Sequence, residues 1–118
     1  MKYDDICIPT DEIYMRVRGD GDEFGKYERL IRVSGFKFMF CGREIGVHQS
    51  SLKRWRATDL KTGIKINLHD YATRGHLIRG MLNHIDVYQK VFSEPEKLAE
   101  REIEFQLIKR KMEEKKWM

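Results

Sequence analysis

The sequence predicts an α+β fold: an antiparallel β-sheet of about five to six short strands over residues 12–68, packed against one helix and followed by a charged C-terminal helix. Three observations lead to this class. Residues 12–68 show the two-residue alternation typical of half-buried strands. The intervening turns are too short for the crossovers that parallel strands need. Residues 73–115 instead repeat apolar side chains at helical spacing.

The length fits one domain, because 118 residues can bury a core without disulfide staples. We expect residues 1–93 to form an α+β core domain. Residues 94–118 would form a C-terminal helix that packs on this core or extends from it, with packing favoured. Cys7 and Cys41 are far apart in the chain and are expected to be free thiols.

The first predicted hairpin joins strands at 12–18 and 27–33. In the first strand, Ile13, Met15 and Val17 share one face. Residues 19–25 have the glycines and acids of a turn. Ser34-Gly35 is predicted to end the second strand.

The strongest core signal follows at residues 36–41, where Phe36, Phe38 and Phe40 alternate onto one face. Gly42-Arg43 is predicted as a tight turn into a short strand at 44–48.

A further hairpin is predicted over residues 52–68. Its first arm contains Leu52 to Thr58, and its turn contains Asp59 to Gly63. In the second arm, Ile64, Ile66 and Leu68 are expected to face inward.

Thr73 is the predicted N-cap of the helix that covers the sheet. Gly75 and Gly80 each weaken this helix by about 1 kcal/mol relative to alanine, so either one could mark a close approach to the sheet. Its apolar residues recur at helical spacing: Leu77, Ile78, Met81, Leu82, Ile85 and Tyr88.

The second helix is predicted from Glu94 to Lys115. Acids come first in this helix and bases later, an order that complements the helix dipole. Its apolar stripe contains Leu98, Phe105, Ile108 and Met112, with Ala99, Ile103 and Leu107 beside it.

The positive charge is concentrated in the middle of the chain. The net charge is +4, yet residues 29–93 hold 12 bases against 4 acids. Within this tract Lys53, Arg54 and Arg56 surround Trp55, a combination that suits phosphates and stacked bases. A solvated edge strand would have the same composition. We expect these four residues to carry partner binding, with help from Arg43, Lys61, Lys65, Arg74 and Arg79.

No cofactor motif, metal-ligand spacing or catalytic residue is identified. The order His48, Asn67, His76 loosely resembles an HNH nuclease, in which a strand histidine, an asparagine and a helix histidine surround a metal. The chain departs from that pattern, because no acid directly precedes His48 and no CxxC pair is present. A metal-dependent nuclease is therefore the least favoured function, and the histidines are expected at surface or boundary positions.

These observations predict a small non-catalytic binding module that engages nucleic acid or a nucleoprotein complex through the basic central surface. The alternative is a protein inhibitor or adaptor of the type carried by phages and mobile elements, such as an anti-defence or anti-CRISPR protein. In that case the C-terminal helix or the acidic loop at residues 20–23 would contact a host protein. The sequence shows no signal peptide and no apolar run of about 18 residues, so we expect a cytoplasmic protein (in the host cytoplasm if phage-encoded) without membrane contact. Both a monomer and a homodimer fit the sequence.

Overall fold

The structure is a computed structural model, which describes residues 6–17, 29–50, 52–67 and 69–115. It confirms the α+β class, since a four-stranded antiparallel sheet of order β1-β2-β3-β4 is accompanied by helices. The predicted turn at 19–25 and the side chains of Val17 and Leu68 lie outside the described residues. In chain order the elements are β1 (Ile8–Val17), β2 (Arg29–Phe40), β3 (Arg43–Gln49), β4 (Trp55–Asp59), α1 (Arg74–Asn83), α2 (Ile85–Val91) and α3 (Pro95–Lys115).

The prediction of five to six strands is wrong for the described residues, and Gly35 provides one reason. The sheet continues through Ser34-Gly35, so the strands expected at 27–33 and 36–41 are the single strand β2. A Cβ atom on Gly35 would collide with the main-chain oxygen of Val47 in β3. This glycine therefore permits a close approach of two backbones inside the sheet and does not form a turn.

The second arm of the hairpin predicted over 52–68 is the other reason. In its described residues, 64–67, it forms one isolated bridge, Thr58–Lys65, and not a continuous strand; a further bridge joins Trp55 to Tyr71, beyond this arm. The side-chain oxygen of Asn67 accepts a hydrogen bond from the Ala57 N–H at 3.0 Å. A side chain thus replaces the backbone partner that a second strand would supply.

The turn between β2 and β3 lies one residue earlier than predicted, at Cys41-Gly42. Both residues have positive φ, of 52° and 76°, and Phe40 pairs directly with Arg43. Two-residue hairpin loops favour this conformation because its twist matches that of the flanking strands.

One face of the sheet forms the main core. Phe38 and Phe40 of β2 are buried there, as the alternation predicts, together with Ile45, Val47 and Ala57 from β3 and β4. Helix α1 covers this face with Leu77, Ile78 and Met81, and α2 adds Tyr88.

The covering helix begins where the sequence predicts, because the Thr73 hydroxyl oxygen accepts a hydrogen bond from the His76 N–H at 3.1 Å. It is not one helix, however. His84 leaves helical geometry, with φ of −115° and ψ of 30°, and separates α1 from α2. The buried Tyr88 ring of α2 then meets the Phe40 ring edge-on, with the ring centres 5.4 Å apart.

Gly80 does mark a close approach, but to the Tyr71 ring and not to the sheet.

Helix α3 lies against the sheet. Its Phe105 is buried, over Gly63 in the segment that follows β4. Glu104 forms an ion pair with Arg16 of β1 at 3.0 Å, and Glu102 forms one with Arg43 of β3 at 2.9 Å. None of the described helices is both long and apolar enough to cross a membrane.

Candidate nucleic-acid interface

The loop of residues 50–54 connects β3 to β4 and exposes two cationic side chains. It is closed by hydrogen bonds from the Ser50 N–H to the Arg54 carbonyl at 2.7 Å and from the Lys53 N–H to the Ser50 carbonyl at 2.9 Å. Lys53 and Arg54 are exposed, and neither forms an ion pair with any residue that the structure describes. Leu52 beside them is 76% exposed. The loop therefore presents charge that described acids do not neutralise.

Trp55 starts β4 directly after this loop, and it is half-buried. Its ring lies 6.3 Å from the Phe36 ring, centre to centre, and packs against the core. The Arg74 guanidinium lies 3.8 Å from the centre of the Phe36 ring and 5.9 Å from that of Trp55. Cation–π contacts of this kind hold an arginine in place over an aromatic surface. The indole is therefore part of a Phe36–Trp55–Arg74 stack and does not stand free as a stacking platform.

Arg56 and Lys65 share one acid. Asp70 accepts from Arg56 at 2.9 Å and from Lys65 at 3.1 Å, and the Asn67 amide donates to it as well. Partial burial acts to raise the pKa of Asp70, but the hydrogen bonds from Asn67, Arg56 and Lys65 outweigh it and hold this pKa at about 2. Asp70 thus offsets one of the two positive charges of Arg56 and Lys65.

Arg43 is a structural residue. Its guanidinium donates to both carboxylate oxygens of Asp59, at 3.1 and 2.7 Å, and to Glu102 at 2.9 Å. Asp59 is only 1% exposed and also accepts a hydrogen bond from the Thr62 hydroxyl at 2.7 Å. The hydrogen bond to Asp59 raises the pKa of Arg43 above its ordinary value, although burial opposes this. Arg43 is consequently unavailable for a phosphate.

Lys61 and Arg79 are exposed, and Lys61 lies apart from the 50–54 loop. Lys61 follows the opposite end of β4, a strand of 5 residues. At the rise per residue of a strand, Arg54 and Lys61 are separated by more than about 13 Å. Arg79 is carried by α1. The nine residues expected to bind a partner do not form one surface. Trp55 and four of the cationic residues lie at or next to the 50–54 loop. These four are Lys53, Arg54, Arg56 and Arg74.

His48 was expected at a surface or boundary position, and that prediction is wrong. The side chain is 2% exposed, and neither ring nitrogen has a hydrogen-bond partner among the residues that the structure describes. Burial lowers its pKa, as does the charge of Arg56, its neighbour across β3 and β4, while Asp70 acts in the opposite direction. Ile13 lies against Gly46 on the face of β3 opposite α1, so residues 45–48 are buried on both faces of this strand. The alternation of residue types within β3 does not reveal that the second face of this strand is also covered.

The three residues of the HNH-like order have separate environments. Asn67 uses its amide within the chain, accepting from Ala57 and donating to the His69 carbonyl at 2.8 Å. His76 is exposed in the first turn of α1. Among the described residues, no group of three His, Cys, Asp or Glu side chains is arranged to hold a metal ion.

Comparison of the chain with protein-family models, curated proteins and solved structures finds no match.

Proposed function

We propose that this protein is a non-catalytic module that binds nucleic acid, alone or within a nucleoprotein complex, through the 50–54 loop and its flanking arginines. The observation that supports this most directly is the exposure of Lys53 and Arg54 without a described counter-ion, on a loop next to the Phe36–Trp55–Arg74 stack. Phosphate contacts by cationic side chains supply most of the affinity in sequence-independent binding.

The number of available cations determines the expected salt dependence. Two phosphate contacts, from Lys53 and Arg54, give a slope of about −2 in a plot of log affinity against log salt concentration. Any contribution from Arg56 or Arg74 would steepen this slope. A weak, salt-sensitive interaction is therefore expected from one copy of the loop.

The test is a double charge reversal, Lys53→Glu with Arg54→Glu. Fluorescence anisotropy with labelled single- and double-stranded oligonucleotides, over about 50–300 mM salt, would measure affinity and slope. We expect this variant to lose most of its affinity. Arg56 is left unchanged because its ion pair with Asp70 would make a reversal there affect folding as well.

The matched control is Lys90→Glu with Arg101→Glu, which changes the net charge equally at two exposed helical positions. We expect the control to retain affinity and slope after a small correction for overall charge. Equal losses in the two variants would show that only bulk charge matters. Absence of binding by the unmodified chain at the lowest salt would refute the proposal itself.

A second candidate function, a protein inhibitor or adaptor, is favoured by α3. Ile103 and Leu107 on this helix are 62% and 50% exposed. Deleting the helix would be a poor test, because Phe105 is buried and Glu102 holds Arg43. Ile103→Gln with Leu107→Gln changes only exposed side chains. Loss of a host protein in this variant, with retention in the Lys53→Glu/Arg54→Glu variant, would support the second candidate.

A further inference from the structure

Helix α3 has a second apolar stripe that its own sheet leaves uncovered. Phe105 is buried and Leu98, Ile108 and Met112 are partly buried. The second stripe consists of Ala99, Ile103 and Leu107, all exposed and spaced four residues apart. Residues at this spacing are neighbours on one side of a helix. The stripe lines an open groove of about 580 Å³, together with Lys61, Glu102, Gln106 and Arg110.

The charges of α3 are divided between its halves. Residues 95–104 carry 4 acids and 2 bases, whereas residues 105–115 carry 4 bases and 2 acids. Favourable interaction with the helix dipole accounts for such an order on any single helix. It does not account for an uncovered apolar stripe located where the two halves meet.

We propose that this stripe binds α3 of a second copy of the chain, with the two helices antiparallel about a two-fold axis. In this arrangement the acidic half of each helix lies beside the basic half of the other. A parallel pair would place like charges together instead. The charge complementarity is contained within one helix, and it therefore identifies a second copy as the occupant of the groove. The proposal does not depend on the nucleic-acid function.

Two-fold symmetry makes every contact reciprocal, so that if one residue meets another, the reverse contact also forms. With the axis near residue 105, Ile103 of each copy lies at the level of Leu107 of the other. By the same geometry Glu100 lies at the level of Arg110, and each such charge pair occurs twice. Because the stripe is small, we expect a weak and reversible dimer.

The experiment is sedimentation equilibrium of the full chain from about 1 µM to 1 mM, the range in which small interfaces dissociate. We expect a concentration-dependent monomer–dimer equilibrium. Ile103→Gln with Leu107→Gln should remain monomeric throughout, and circular dichroism would confirm that the fold is unchanged. Glu100→Lys alone and Arg110→Glu alone should each weaken the dimer by about tenfold or more, because each creates two like-charge pairs.

An equimolar mixture of Glu100→Lys and Arg110→Glu provides the specific test of orientation. In an antiparallel pair both of its charge contacts become attractive, so the mixture should form a heterodimer that neither variant forms with itself. Arg101→Glu is the matched control for Arg110→Glu, since Arg101 is exposed on the side of α3 away from Ile103 and should leave the equilibrium unchanged. A monomeric chain at the highest concentration would overturn the proposal, as would a dimer insensitive to Ile103 and Leu107 or a mixture that fails to restore association.

Discussion

The two ends of β4 use the same kind of side chain in opposite ways. At the closed end, defined by Arg43, Asp59, Thr62 and Glu102, an arginine is enclosed by two acids and holds β3, β4 and α3 together. At the open end, defined by residues 50–54, Lys53 and Arg54 point to solvent and have no described acid to pair with. A charge taken out of water must be compensated by partners, whereas an exposed charge need not be. Position relative to the core, more than residue type, separates a structural arginine from a candidate binding arginine.

The largest effect should come from breaking the ion pairs of Arg43 at the closed end. Arg43→Met keeps the length of the side chain but leaves buried Asp59 without its cation. Breaking a buried ion pair in this way costs about 3–5 kcal/mol. Urea unfolding would measure the loss, with Lys61→Met as the control at an exposed position nearby. A loss below about 1 kcal/mol would mean that the two ends do not differ as described.

The next effect should be a loss of stability below pH 6.5, and it should arise from His48. Its folded pKa is lowered from the ordinary 6.5, so the unfolded chain binds this proton first as the pH falls. The free energy of unfolding should therefore decrease from about pH 7 downward, by at most about 1.4 kcal/mol per pH unit, until the folded pKa is reached.

His48→Leu should remove this dependence below about pH 7, and the exposed His76→Leu should keep it. A further loss below pH 3.8 should persist in both variants, because the contribution of Asp70 is present above 3.8 and disappears as the pH falls toward about 2. A pH profile unchanged by His48→Leu would contradict the neutral, unpartnered state of this histidine.

Asp70→Asn should increase the difference in unpaired positive charge between the open end and the closed end of β4. The change releases Arg56 and Lys65 from their shared acid and adds one net positive charge beside the loop. Partly exposed ion pairs are worth little, so we expect a stability loss of about 1 kcal/mol. Oligonucleotide affinity should rise and its salt slope should steepen by about one. Unchanged binding would place the interface away from this end.

The smallest effect should follow from Arg54→Ala. This exposed side chain has no described partner, and surface changes of this kind usually stay within about 0.5 kcal/mol. Urea unfolding of Arg54→Ala and Arg43→Met in parallel would give the ratio of the stability losses at the two ends directly. A destabilisation above about 1 kcal/mol would reveal a structural role for the loop.

Local patterns predicted the elements well where one signal dominated. Phe38 and Phe40 alternate onto the buried face, Thr73 caps α1, and α3 begins within one residue of its predicted start. The predictions failed at Gly35 and at residues 64–67. A glycine in a turn and a glycine under a neighbouring backbone look alike in sequence, and the replacement of a strand partner by the Asn67 amide depends on a contact 10 residues away.

By itself, then, the sequence determined the class of fold, the helical and strand periodicities, and the concentration of positive charge between residues 29 and 93, because these depend on neighbours along the chain. Only the tertiary structure decided which charges remain available. Arg43 meets Asp59 from 16 residues away and Glu102 from 59 residues away. Trp55 joins Phe36 and Arg74 in one stack, and His48 is buried. Burial and pairing arise between segments distant in sequence, so the composition of a segment leaves them undetermined.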